Sequence, residues 1–243
     1  IGYDYIVTGH YARVEYDEKR DRYLLKKAVD DTKDQSYVLY MLTQEQLAHV
    51  NLPLGGLRKD QVRVIAEKHG FINARKHDSQ DICFVPDGDY AKFIEKYTGK
   101  KTPEGDFVDK EGNYIGRHKG IIHYTIGQRR GLGIPAASRL YVCEISPKTN
   151  TVVLGDNSDL FSSELEADSV NLISVADLSE PKRVTAKIRY RHKEQPAIAW
   201  QTPDGILHVK FDEPQRAITK GQAVVMYDGN EVVGGGVINK IYN

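Results

Sequence analysis

The chain has 243 residues, 40% hydrophobic and 28% charged, which is the composition of an ordinary globular protein. Its 34 basic and 34 acidic residues cancel, so net charge gives no sign of a nucleic-acid partner. No apolar run approaches the ~20 residues of a membrane span, and no signal peptide opens the sequence. Two cysteines cannot form a disulfide framework, which predicts a cytoplasmic protein, and the eight scattered histidines predict no metal site.

The first part of the chain, residues 1 to about 98, has the pattern of the end of an α/β domain. A short apolar run predicts a buried strand that ends at Thr8-Gly9-His10. The charged turn DEKRD predicts a hairpin, and two helices should follow. The predicted elements are hairpin strands at 11–16 and 22–29, a helix from Thr43 with Gln46 in the capping-box position and Leu42 and Leu47 as a staple, and a helix from about Lys59 that ends at Gly70.

The stretch RKHDSQDICFVPDGDY, residues 75–90, places Cys83 between an acidic segment and a predicted helix. Asp87 is the expected N-cap of that helix, and Gly99 is the expected end. A thiol at a strand-to-helix turn is partly exposed, and the helix N–H groups favour its anion. Cys83 is therefore a candidate sulfur nucleophile or carrier. A buried structural cysteine is the alternative.

Residues 99–160 change character and predict a small, mostly β domain. The segment TIGQRRGLGIP combines three glycines with Arg129 and Arg130, a pattern that could hold a phosphate backbone. Between Lys100 and Leu140 there are eight basic and four acidic residues. A plain β-loop is the alternative. Cys143 lies in an alternating strand, where we expect a packed and unreactive thiol.

Residues 161–243 contain six short strand-like runs and no helix pattern, which predicts a small closed barrel. Six basic residues and no acid lie between Lys182 and Lys193. In the expected strand KIRYRH, Arg189 and Arg191 would point to one side and Tyr190 to the other. This pattern favours an RNA-facing strand, because arginine pairs with phosphate and tyrosine stacks on bases. An ordinary charged strand face is the alternative.

The sequence contains, in this order, the stretches TGHYARV, KDQSYVLY, SQDICFVPDGDY, TIGQRRGLGI and GQAVVMYDGNEVVGGGVI. The same five stretches occur in the same order in the tRNA-specific 2-thiouridylases, and the sequence resembles that family over nearly its whole length. The resemblance implies a Rossmann-like nucleotide-binding (PP-loop) domain, represented by residues 1–98, then a central β-rich tRNA-binding domain, 99–160, and a C-terminal six-stranded β-barrel, 161–243.

The resemblance also implies the chemistry: ATP, with Mg, activates the wobble uridine of tRNA, and a cysteine persulfide replaces its C2 oxygen by sulfur. Cys83 matches the persulfide position and Gly9 an ATP contact. The positions that match tRNA contacts are His10, Lys33, Asp34, Gln35, Arg189, Tyr190 and Gln222. A sulfur-relay protein or a cysteine desulfurase would supply the sulfur, and no membrane is involved.

Two family features do not appear in this sequence, the glycine-rich phosphate loop and the second active cysteine. We therefore expect a C-terminal portion of a longer protein that does not thiolate tRNA by itself. A non-catalytic RNA-binding module is the second hypothesis, and a different ATP-pyrophosphatase-type ligase is the third. A thiol–disulfide oxidoreductase is disfavoured because there is no CxxC motif.

Overall fold

The computed structural model describes residues 2–75, 85, 88–135 and 138–242. These residues form two compact units. The first unit comprises the described residues of Ile1–Lys76, Ser163–Pro214 and Thr219–Tyr242, and the second comprises those of His77–Ser162 with Gln215–Ile218. Among the described residues, no helix is long and apolar enough to cross a membrane.

Fourteen strands and four α-helices lie within the described residues. In chain order they are β1 (Ile6–Val7), β2 (Ala12–Asp17), β3 (Arg22–Lys27), α1 (Ser36–Leu39), α2 (Gln44–Ala48), β4 (Val50–Asn51), α3 (Lys59–Lys68), α4 (Tyr90–Thr98), β5 (Gly105–Val108), β6 (Tyr114–His118), β7 (Tyr141–Ser146), β8 (Thr151–Gly155), β9 (Phe161–Leu172), β10 (Lys182–Lys187), β11 (Gln195–Gln201), β12 (Leu207–Arg216), β13 (Ala223–Asp228) and β14 (Glu231–Tyr242).

The C-terminal strands of the first unit form the closed six-stranded barrel predicted from the sequence. The strand order is β13-β10-β11-β12-β9-β14, and pairing of β14 with β13 closes the ring. The glycine run Gly234–Gly236 allows the strands to approach closely here. A Cβ on Gly234 would lie 2.4 Å from the carbonyl oxygen of Asn171, and one on Gly235 would lie 2.5 Å from that of Val224. Larger residues would therefore force these strands apart.

The N-terminal elements of the first unit pack against the barrel through one apolar cluster. Pairing of Lys26 in β3 with Glu231 in β14 joins the β2–β3 hairpin to the barrel sheet. The buried members of the cluster come from both parts of the chain: Ala12, Leu25, Tyr37, Tyr40, Leu47, Leu52, Ile173, Val225, Tyr227 and Val232. The two helices α1 and α2 are thus fixed by barrel residues. The three-domain division stays a prediction.

In residues 2–75 the predicted hairpin and both predicted helices are confirmed, and one predicted strand is an exception. The hairpin forms, and Thr43 and Gln46 make a complete capping box at the start of α2. The exception is β1, which we expected to be buried. Ile6 and Val7 are 70% and 64% exposed, because β1 pairs in parallel with the equally short β4 and no other described strand pairs with it.

The second unit is a small β domain, as predicted, built on a four-stranded sheet of order β6-β5-β8-β7. Its core is centred on Phe107, Tyr124 and Val142. The helix α4 precedes the sheet and ends at Gly99, whose φ of 67° is left-handed. Our assignment of Asp87 as its N-cap is wrong. Asp89 is the cap, because its carboxylate accepts a hydrogen bond from the Lys92 backbone N–H at 3.0 Å.

Candidate nucleic-acid interface

Both cysteines were assigned roles from the sequence. Cys83, the predicted persulfide carrier, lies outside the described residues, so its role remains a prediction. Cys143 is half-buried in β7, and its thiol contacts the carbonyl oxygen of Tyr141 at 3.5 Å. Burial, followed by the nearby charge of Asp159, raises the pKa of Cys143 to about 11. The thiol is therefore protonated at neutral pH, as expected for a packed cysteine.

Gln35 connects two predicted site segments that are distant in the sequence. Its backbone N–H donates to the Tyr11 carbonyl at 2.8 Å, and its side-chain Oε1 accepts from the Tyr11 N–H at 2.9 Å. Tyr11 directly follows Gly9 and His10, so the double link holds these two residues beside the 33–35 loop. His10 is held in turn by a 2.9 Å contact between its Nδ1 and the Thr8 hydroxyl.

Asp34 uses its carboxylate inside the loop. Its Oδ1 accepts from the Ala28 N–H at 2.9 Å, and its Oδ2 accepts from the Ser36 hydroxyl at 2.7 Å. These bonds fix the loop conformation and leave the carboxylate engaged within the protein. A direct contact of Asp34 with tRNA therefore stays a prediction, and the observed role is structural.

Tyr190 brings the barrel loop against the 33–35 loop. Its hydroxyl donates to the Asp34 carbonyl at 3.2 Å, and the residue is 42% exposed. Partial burial and then the Asp34 charge raise the pKa of Tyr190, against smaller opposite effects of Lys33 and Arg191. The hydroxyl therefore stays protonated at neutral pH and donates, while the exposed part of the ring is available for stacking.

We expected Arg189, Tyr190 and Arg191 to alternate along a strand, and this is wrong. The strand β10 ends at Lys187, Ile188 is fully buried, and a turn closes with a 3.1 Å bond from the His192 N–H to the Arg189 carbonyl. Ile188 is the buried residue at the start of this turn, and the chain then reverses direction to reach β11 at Gln195. The three side chains thus belong to a loop.

The basic run from Lys182 to Lys193 divides into two halves with different roles. Lys182 pairs with Asp228 at 2.9 Å, and Arg183 forms a two-bond ion pair with Asp212. For these two residues the ion pairs favour the alternative interpretation, an ordinary charged strand face. The second half surrounds His192, whose pKa is lowered by partial burial and then by the charges of Arg189 and Lys187. The lowered pKa reflects burial first, and the two neighbouring cations, Arg189 and Lys187, make the local potential more positive.

Lys187 and Tyr37 are additions that the sequence analysis did not single out. The Lys187 ammonium lies 5.8 Å from the ring centroid of Tyr37 and 6.0 Å from that of Tyr190, within cation–π range of both. The Tyr37 hydroxyl donates to the Ala223 carbonyl at 2.9 Å, next to the predicted contact Gln222. Residues 33–37 and 187–191 together form one surface, which we call the loop-pair surface.

Arg129 and Arg130 lie in the second unit, on a loop held by Gln128. The Gln128 side chain accepts from the Thr125 N–H and donates to the Arg130 carbonyl, each at 3.0 Å. Both arginine side chains are exposed. The carboxamide thus closes the loop on itself and fixes the backbone from which the two guanidinium groups project.

Gly9 is the predicted ATP contact, and its surroundings do not form a phosphate site by themselves. Gly9 is exposed, and a Cβ there would meet the Leu54 side chain at 3.4 Å, an ordinary contact. A phosphate cradle requires several convergent backbone N–H groups. Within the described residues no cluster of three or more potential metal ligands is present. We therefore derive no step through ATP or Mg.

Three family models match the chain in sequence order. Their descriptions are tRNA methyl transferase HUP domain for residues 1–87, tRNA methyl transferase PRC-barrel domain for 91–156, and aminomethyltransferase β-barrel domain for 162–238. The fold and these matches together define a tRNA-modifying class of protein with a HUP domain, a PRC-barrel-like domain and a C-terminal β-barrel.

Relatives narrow the class to a family. A tRNA-specific 2-thiouridylase MnmA of Clostridioides difficile is 57% identical over 99% of this chain and 66% of its own length. Those of Acetivibrio thermocellus and Thermoanaerobacter sp. are both 55% identical, over 98% and 97% of this chain. The chain belongs to the tRNA-specific 2-thiouridylase family. It spans 65–66% of the length of these relatives.

Proposed function

We propose that the chain takes part in the 2-thiolation of the wobble uridine of tRNA, with the loop-pair surface binding the tRNA and Cys83 carrying the sulfur. Identities of 51–57% to the relatives named as 2-thiouridylases support this assignment. The observation that carries the binding part is the bond between Tyr190 and Asp34, because it joins segments 156 positions apart that were both assigned to tRNA contact.

The loop-pair surface is chemically suited to RNA. It offers the cation of Lys187 for phosphates and the exposed part of Tyr190 for an unpaired base, and Arg189, which the resemblance assigns to tRNA contact, belongs to the same loop. The bonds through Gln35 and Asp34 hold these groups in place before RNA binds, so less conformational entropy is lost on association. Single-stranded loops, whose bases can stack on such rings, are the usual targets of sequence-specific RNA recognition.

For the sulfur transfer we propose a persulfide on Cys83. The family's co-substrate ATP would make the uridine C2 oxygen a leaving group, and we assign no described residue of this chain to that activation. The step proposed for this chain is on Cys83: its terminal persulfide sulfur forms a bond to C2 as the bond from C2 to the activated oxygen breaks and that oxygen leaves. A second thiol attacks the Cys83 sulfur, the sulfur–sulfur bond breaks toward the tRNA, and a disulfide with Cys83 remains for a thiol reductant to open. A cysteine desulfurase or a sulfur-relay protein would load the carrier.

Intact-mass spectrometry tests the sulfur role. The purified chain is incubated with a cysteine desulfurase and free cysteine, then measured with and without reductant. We expect the added mass of one sulfur atom, removable by reductant, in the parent and in a Cys143→Ser variant. The Cys83→Ser variant should not gain it. Loading that persists in Cys83→Ser, or no loading of the parent, would contradict the proposal.

A further inference from the structure

A cavity of about 470 Å³ lies in the second unit beside the Arg129 loop. Its lining combines two arginines, two glycines and a set of mostly apolar residues: Arg129, Gly131, Leu132, Gly133, Ile134, Pro135, Ser138, Arg139 and Leu140. Three of these, Leu132, Ile134 and Leu140, also pack on the core of the second unit. The wall of the cavity is thereby fixed by the core, and its volume is in the range of small-molecule sites.

The charge of this cavity is not neutralised within the described part of the chain. No described carboxylate forms an ion pair with Arg129 or Arg139, and the lining contains no acidic residue. Residues 136 and 137, between Pro135 and Ser138, are both alanine. Two other exposed arginines are paired, by contrast: Arg117 contacts Asp106 at 2.8 Å, and Arg183 is held by Asp212. Two unneutralised guanidinium groups on one cavity favour an anionic ligand.

The backbone around the cavity is arranged before any ligand binds. Gly131 and Gly133 have φ of 76° and 70°, a region that other residues rarely adopt, and they turn the chain around the opening. The Gln128 bonds to Thr125 and Arg130 hold the loop on which Arg129 stands. A rigid loop with forked donors and an apolar wall suits a group that is charged at one end and flat and apolar at the other.

We propose that this cavity binds one nucleotide of the RNA substrate, with Arg129 and Arg139 sharing its phosphate and the base lying toward Leu132 and Ile134. The inference rests on the proposed function, since it assumes that the chain binds tRNA. It adds Arg139, which no sequence motif assigned, and it requires the two arginines to act on one ligand.

A double-variant cycle of tRNA affinity tests the shared site in the full chain. Arg129→Ala and Arg139→Ala should each raise the Kd roughly tenfold, the effect of losing one charge-assisted contact, and each should reduce the salt slope by about 0.7. The Kd of the double variant should exceed that of either single variant by no more than about twofold, because the two arginines act on one phosphate. Arg117→Ala is the matched control: it removes an exposed arginine already paired with Asp106 and should leave the Kd unchanged.

The outcomes separate this inference from the function on which it rests. Fully additive single effects would overturn the shared phosphate. If Arg129→Ala and Arg139→Ala bind tRNA like the parent while Arg189→Ala binds it more weakly, the cavity site is overturned and the proposed function stands. A parent chain that does not bind tRNA at all would overturn both.

Discussion

Gln35 carries two roles that one pair of substitutions can separate. Its Oε1 accepts the Tyr11 N–H at 2.9 Å, which is a structural bond. Its Nε2 makes no hydrogen bond within the described residues, so its two N–H groups remain for a ligand. Gln35→Ala removes both the acceptor and the donors. Gln35→Glu keeps an acceptor of the same shape for Tyr11 and replaces the donors by a negative charge.

The magnitudes follow from these contacts. Loss of the acceptor leaves a partly buried backbone N–H unpaired, which costs about 1–2 kcal/mol and lowers the Tm by roughly 2–8 °C for a chain of this size. In Gln35→Glu that bond survives, so the Tm should stay within about 2 °C of the parent. A new charge about 4 Å from an RNA phosphate costs at least about 1 kcal/mol, which is about a fivefold loss of affinity.

Thermal unfolding by circular dichroism and tRNA binding by fluorescence anisotropy measure the two effects on the same samples. We expect Gln35→Ala to lower both the Tm and the tRNA affinity, and Gln35→Glu to lower the tRNA affinity alone. A Gln35→Glu variant that binds tRNA like the parent would show that Gln35 has only the structural role. An unchanged Tm in Gln35→Ala would show that the bond to Tyr11 adds nothing measurable.

Three further predictions concern charge and titration. Hydrogen bonds from Thr32 and from the Lys59 N–H lower the pKa of Asp30. The ionised carboxylate therefore stabilises the fold above its ordinary pKa of about 3.9, and this stabilisation is lost as pH falls. The free energy of unfolding of Asp30→Asn, measured in urea, should depend less on pH between about 5 and 3 than that of the parent. Arg189→Ala should reduce the salt slope of tRNA binding by about one, and the ion-paired Arg183→Ala should not; equal slopes in both would refute a phosphate contact. In a Cys83→Ser background, alkylation of Cys143 should be slow at pH 8 and rise about tenfold per pH unit, whereas fast labelling at pH 8 would contradict its raised pKa.

Local signals in the sequence predicted much of the fold. The capping box of Thr43 and Gln46, the hairpin around residues 18–21 and the six barrel strands each depend on neighbours within a few positions, and all are present. Errors occurred where a local signal was ambiguous. Asp87 and Asp89 are equivalent caps by residue type, and only the position of the first helical turn selects Asp89. The alternation in KIRYRH gave no sign that the strand would end at Lys187 and that a turn would follow at residues 189–192.

The arrangement of the candidate site could not be read from the sequence. The resemblance supplied individual residues such as Gln35 and Tyr190, but their proximity depends on long-range packing of the N-terminal elements on the barrel. Lys187 was counted within a basic run, and its position near the rings of Tyr37 and Tyr190 required the fold. Arg139 stands alone in the sequence, and the cavity that relates it to Arg129 is a tertiary feature.

Hydrogen exchange of the chain with and without tRNA tests the proposed interface most directly. If the loop-pair surface binds RNA, backbone amides in residues 33–37 and 187–191 should exchange more slowly in the complex, at a tRNA concentration that saturates binding. The hairpin turn at residues 18–21 serves as the internal control, because we assign it no RNA contact. Binding that slows exchange elsewhere and leaves both loops unchanged would contradict the account.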